Sequence, residues 1–211
     1  MDLQPGHIDE LRQLHDQHGE AVRVRLAEFR GVPVDRHFYE LCFCLMTPQS
    51  SALQCDAVAA ELEHRGFREH GFDPTPLLRS WQEGYVRFHN TKARRLQELR
   101  GHFGEVRVLL ASDMEDKPLR NQLAATVRGL GMKEASHFLR NIGRSKLCIV
   151  DRHIIRNLLR LGVLAEWPSS ISVRRYLDIE QRFEDLANMT GIPADELDLL
   201  LWQRETGFLL K

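Results

Sequence analysis

Apolar residues recur three and four positions apart along most of the chain, and turn residues cut that pattern into segments. Ile8, Leu11 and Leu14, then Val22, Leu26 and Phe29, predict a helix over 7–30 that is interrupted at Gly19 and broken at Pro33. Asp35 can cap a second helix with Phe38, Leu41, Cys42 and Leu45 inward. Thr47-Pro48-Gln49 ends it, because the residue before a proline avoids the α region. Ser50 or Ser51 caps a third helix through about Arg65, which leaves Gln49 on a loop between two helix ends. Glycines and prolines make 66–76 a turn-rich break, after which a short helix runs from Leu77 to Trp81. Asn90 or Thr91 caps a helix carrying Leu96 and Leu99, and Asp116-Lys117-Pro118 opens the next. Ser170 or Ser172 caps a helix to about Asn188, and Leu197, Leu200 and Leu201 mark a last one from Ala194 to Glu205. No alternating strand pattern, internal repeat or low-complexity stretch is evident. The prediction is an all-α fold of two helical lobes with a central cleft, forming one unit over 1–211.

The stretch 123–160 organises the rest. Leu123, Val127 and Leu130 share one apolar face and lead into Gly129-Leu130-Gly131, where either glycine can take positive φ and reverse the chain. A helix then starts near Met132 or Lys133, with Ala135, Phe138, Leu139 and Ile142 apolar, so the hairpin covers about 123–143. The unpaired N–H groups and positive dipole end of that helix suit an anion, most simply a DNA phosphate. A plain αα-corner needs the same glycines and accounts for them equally well. Lys133 adds a second signal. A cation in the first turn of a helix is electrostatically misplaced, which points either to solvent exposure or to chemistry. A positive surrounding field would favour its neutral, nucleophilic form. Asp151 follows the apolar run Leu147-Cys148-Ile149-Val150 and precedes Ile154, Ile155, Leu158 and Leu159, the position of a helix N-cap. Capping N–H groups favour a carboxylate's charged form. An amine and a fixed anion are together what displacement at a sugar C1′ requires, one attacking and the other stabilising oxocarbenium-like charge.

These residues carry a resemblance. Gly129-x-Gly131-x-Lys133-x-Ala135, followed by Val150-Asp151-Arg152-His153, resembles the helix–hairpin–helix DNA glycosylase superfamily. Two more stretches, 38–51 (FYELCFCLMTPQSS) and Trp202-x-x-x-x-Gly207-x-x-x-Lys211, are similar to the archaeal-type (type 2) 8-oxoguanine DNA glycosylases. The similarity spans about 38–211. It implies a repair glycosylase/lyase acting on double-stranded DNA with 8-oxoguanine or abasic sites, working as a monomer without cofactor or metal. It implies Lys133 as the Schiff-base nucleophile, Asp151 as the catalytic carboxylate, and Gly129 and Gly131 at the DNA phosphate. By the same resemblance Gln49 faces DNA, an aromatic from the Phe88 region stacks on the base, Trp202 packs against it, and terminal Lys211 reads its Watson–Crick edge. The residues alone leave Phe88 equally at home in a core, with His89 as an alternative, and make Trp202 a buried structural side chain by default. A related glycosylase for another base and a non-catalytic helix–hairpin–helix DNA-binding module are the rival readings; the second leaves Lys133, Asp151 and Lys211 unexplained.

Composition narrows the setting. Hydrophobic residues at 43% and charged residues at 28% are those of a globular chain, without the run of about 18 apolar residues that spans a membrane. The start lacks a basic, then apolar, signal pattern, so the cytoplasm is the expected compartment. Cys42, Cys44, Cys55 and Cys148 form no C-x-x-C pair and are expected as small buried hydrophobes. No Cys follows Cys148, which sets the chain apart from iron–sulfur relatives of the endonuclease III type. The net charge of −1 looks wrong for a DNA binder. Yet 128–160 holds eight basic and two acidic residues, while 178–205 holds the reverse, which predicts a cationic face around the hairpin.

Overall fold

A computed structural model describes residues 4–80 and 85–209. Among these, eleven α-helices and one 3₁₀ turn account for the regular structure. They fall into two compact units, one formed by 4–31 with 143–209 and the other by 32–80 with 85–142.

The first unit holds α1 (Pro5–Arg30), α9 (Arg152–Arg160), α10 (Val173–Thr190) and α11 (Ala194–Thr206). The α1 stripe is the one the periodicity predicts: Val22, Leu26 and Phe29 pack on Leu199 and Leu200 of α11. Gly19 does not interrupt α1, which runs through it as one helix. A mid-helix glycine only weakens a helix by about 1 kcal/mol, and the apolar face on either side of it is continuous.

The second unit holds α2 (His37–Met46), α3 (Ala52–His64), α4 (Phe67–His70), α5 (Thr75–Arg79), α6 (His89–Leu110), α7 (Asp116–Thr126) and α8 (Met132–Asn141). Helix α2 is its hub. Phe38 through Met46 are all buried, not the single inward face that the spacing suggests. A helix apolar all round belongs inside, and α3, α6 and α8 all contact it. Phe38 meets the ring of Phe103 edge-on at 5.0 Å. The one buried acid of α2, Glu40, accepts a hydrogen bond from Asn141 Nδ2 at 3.3 Å. All four cysteines are buried and free, and burial pushes the Cys55 thiol up to about 12.

Several boundaries differ from the sequence reading: α4 forms inside the 66–76 break, and the short helix expected from Leu77 starts at Thr75 and ends at Arg79. A 3₁₀ turn over Val34–Arg36 precedes α2, so Asp35 does not cap it. Helix α6 begins at His89, one residue before the expected Asn90 or Thr91 cap, with Phe88 itself in the cap position.

Candidate active site

The turn between α7 and α8 is the hairpin the sequence predicts. Val127 N–H closes on Leu123 O at 2.9 Å and Leu130 N–H on Val127 O at 3.0 Å. Leu123, Val127 and Leu130 are buried together. Only one of its glycines is there for its backbone. Gly129 has φ +86°, and a Cβ on it would lie 2.5 Å from the Arg95 side chain of α6. Gly131 has φ −85° and ψ 179°, open to any residue, and serves as the N-cap of α8.

Lys133 stands in the first turn of α8, with its side chain 26% exposed. The sequence reading weighs a positive field around it. The structure adds a carboxylate: Glu134 Oε1 lies 3.1 Å from Lys133 Nζ. Glu134 occupies the third helical position, where an acid meets the positive end of the helix dipole. Its other oxygen reaches back toward Gly131, 2.8 Å from where a Cβ there would stand.

Asp151 belongs to the first unit and is the N-cap of α9, as its position after an apolar run implies. Its Oδ1 accepts from His153 N–H at 2.8 Å and Ile154 N–H at 2.9 Å, which fixes the carboxylate. The run before it is held in a way no local pattern reveals. Ile149 N–H donates to buried Asp198 at 2.9 Å, and Cys148 N–H to buried Glu180 at 3.3 Å. Tyr176 donates its hydroxyl hydrogen to Cys148 O at 2.6 Å. Side chains of α10 and α11 thus satisfy an extended backbone that pairs with no strand. On the same unit, Trp202 of α11 is half-buried, not sealed in a core. Its ring faces His153 edge-on at 6.5 Å and Phe208 at 5.6 Å. The start of α9 and Trp202 are therefore neighbours.

Gln49 and Phe88 lie on the second unit and share an unusual backbone. Among the described residues only three non-glycines have positive φ, and these are two of them, at 56° and 57°. The left-handed region costs such a residue roughly 1–2 kcal/mol. Gln49 is exposed. Phe88 is 53% exposed, so it is not the core side chain that the residues alone allow. The Arg87 guanidinium lies 5.3 Å from its ring centre. Sequence reasoning misses the group behind both turns. Lys92 of α6 is 2% exposed and donates to Met46 O, Pro48 O and Ser50 Oγ.

The cationic face is smaller than the charge count predicts. Arg140 is buried. Arg128 pairs with Glu98 at 3.0 Å, Arg156 with Glu205 at 2.6 Å, and Arg160 with Glu10. The eight basic residues are also divided between the two units. Two of the acids in 178–205, Glu180 and Asp198, are likewise buried, against the segment leading to Asp151. Lys211 and Trp81 lie outside the described residues.

A glycine hairpin between α7 and α8, a lysine in the first turn of α8 and an aspartate capping a later helix place the chain among helix–hairpin–helix proteins. The family described as 8-oxoguanine DNA glycosylase matches residues 22–192, and the chain belongs to it. An 8-oxoguanine DNA glycosylase/AP lyase of Korarchaeum cryptofilum is 38% identical, covering 91% of each chain. One of Fusobacterium nucleatum is 33% identical over 97% of this chain and 98% of its own. The crystal structure of the Methanocaldococcus jannaschii 8-oxoguanine glycosylase/lyase, in complex with a 15mer DNA containing 8-oxoguanine, matches with a TM-score of 0.84 at 30% identity, over 97% of this chain and 99% of that one. The 8-oxoguanine DNA glycosylase of Thermotoga maritima matches with a TM-score of 0.85 at 30% identity, over 98% and 99%.

Proposed function

We propose that this protein is a bifunctional repair enzyme that excises 8-oxoguanine from duplex DNA and then nicks the strand at the abasic site. The observation that carries the reading is Lys133 in the first turn of α8, directly after the glycine hairpin, in a chain that belongs to the 8-oxoguanine DNA glycosylase family. The hairpin N–H groups around Gly129 and Gly131 bind a DNA phosphate and set the register of the backbone without reading sequence. The damaged nucleotide leaves the stack, as chemistry on a base inside a duplex requires.

Lys133 Nζ attacks C1′, the glycosidic bond breaks, and its electron pair leaves with the base. Glu134 Oε1, 3.1 Å from the nitrogen, is within reach of the proton that the amine sheds. The nitrogen lone pair then breaks the C1′–O4′ bond, O4′ takes up a proton as the 4′ hydroxyl, and the opened sugar is left joined to Lys133 through an imine at C1′. Removal of a C2′ proton then expels the 3′ phosphate in a β-elimination. Asp151, fixed by its two N–H donors, stabilises the positive charge that develops on the sugar. Phe88 and Trp202 supply aromatic surface for the extruded base, Gln49 faces the gap in the duplex, and Lys211 contacts the base edge.

Borohydride reduces such an imine to a stable amine, so wild-type protein and an 8-oxoguanine duplex should yield a covalent complex. Lys133→Gln should abolish it while retaining duplex binding. An adduct of undiminished yield would remove Lys133 from its role. A non-catalytic DNA-binding module would give no adduct with either protein.

A further inference from the structure

We propose that Lys92 is a positioning residue, whose buried ammonium ties the Gln49 turn and the Phe88 turn into one rigid DNA-facing edge. The inference rests on the glycosylase reading for the direction those turns face. The linkage itself is geometric. Lys92 Nζ lies 2.5 Å from Met46 O, 2.7 Å from Pro48 O and 3.0 Å from Ser50 Oγ. Three ammonium hydrogens meet three acceptors, spaced over the five residues that enclose Gln49. One of them, Met46 O, is at the negative end of α2, where a cation is favoured. Ser50 Oγ also accepts from Arg87 N–H at 2.9 Å, so the same hydroxyl joins the turn before α6. Lys92 N–H donates to Phe88 O at 3.0 Å and completes the circuit.

The two turns so joined are those with left-handed Gln49 and Phe88. Strained backbone persists only where its surroundings hold it. A flexible surface loop would relax at both positions, and neither Gln49 nor Phe88 has a buried side chain to anchor it. The anchor is the lysine underneath. Burial, together with the like charges of Arg95, Lys133 and Arg87, holds the Lys92 pKa down to about 8. A lysine kept at that disadvantage, in place of an apolar residue, has a role that packing alone does not supply.

Two variants test it. Lys92→Met removes the ammonium at similar volume. Ser50→Ala keeps the charge near Lys133 and severs the link to Arg87. Each is assayed for single-turnover excision from an 8-oxoguanine duplex, for fluorescence of a 2-aminopurine beside the lesion as the base is extruded, and for borohydride trapping on a single-stranded abasic site. The first two readouts need the edge and the third does not. Lys92→Met should lose duplex excision and the fluorescence change by about tenfold or more, the scale of small misplacements at a reacting centre. Its trapping on the single-stranded abasic site should stay within about twofold of wild type, well inside that scale. Ser50→Ala should change in the same direction by a smaller factor, and carries the test alone if Lys92→Met does not fold. Wild-type excision in both variants would overturn the proposal. So would a parallel loss of excision and abasic-site trapping, the mark of a general defect. Wild-type protein that traps nothing would overturn the glycosylase reading and this inference with it.

Discussion

At position 151, asparagine separates two jobs that aspartate does at once. Both residues cap a helix about equally well, whereas alanine there costs roughly 1 kcal/mol. Asp151→Asn should therefore leave the thermal midpoint nearly unchanged and slow base excision by orders of magnitude, about the effect of removing one preorganised electrostatic group. A variant that excises at the wild-type rate would reduce Asp151 to a cap. Lys92 gives a test in pH. Its folded pKa of about 8 lies below the ordinary 10.5, so below pH 8 both folded and unfolded chains hold the proton and the burial penalty is fully felt. Between pH 8 and 10.5 the folded chain has shed the proton while the unfolded one keeps it, and stability rises with pH. Urea unfolding of wild type and Lys92→Met across that window should show wild type gaining relative to the variant. A constant difference would mean that Lys92 is not held at low pKa.

Among the elements, the hairpin gives an asymmetric prediction. Gly129→Ala places a Cβ at φ +86° and against Arg95, and should destabilise the protein by roughly 2 kcal/mol or more. Gly131→Ala has an allowed backbone and meets only the flexible end of Glu134, so it should lose less than about 1 kcal/mol, the scale of a poorer N-cap. Thermal unfolding of the pair checks the order; equal losses would contradict it. The sequence motif treats the two glycines alike, because a Gly-x-Gly spacing records permission for positive φ and not its use. The longer helices were readable, from the α1 stripe to the last leucines of α11, whereas the single turn of α4 was hidden in a stretch that reads as a break. What did not show was whatever depends on distant partners. The all-round burial of α2 comes from several helices packing on it. The segment 147–150 reads as a plain apolar run, yet it is held by Tyr176, Glu180 and Asp198 from later in the chain. Lys92, in a polar stretch of sequence, looks like an exposed side chain because its acceptors are backbone carbonyls more than forty residues away.

For the molecule as a whole, the charge count of 128–160 overstated the cationic surface, because composition cannot tell a paired or buried arginine from a free one. Arg140 is buried, and Arg128, Arg156 and Arg160 each face a carboxylate at the surface. Among the described residues no helix is long and apolar enough to cross a membrane. Under the proposed function, DNA is therefore recognised less by a broad electrostatic face than by the hairpin amides and a few positioned side chains. Central to that function is a covalent bond from Lys133 to the sugar of an 8-oxoguanine nucleotide. The direct measurement is peptide mapping by mass spectrometry of the borohydride-trapped complex on an 8-oxoguanine duplex. The predicted result is a reduced sugar adduct on Lys133. An adduct on another residue of the wild-type protein, or none, would contradict the account.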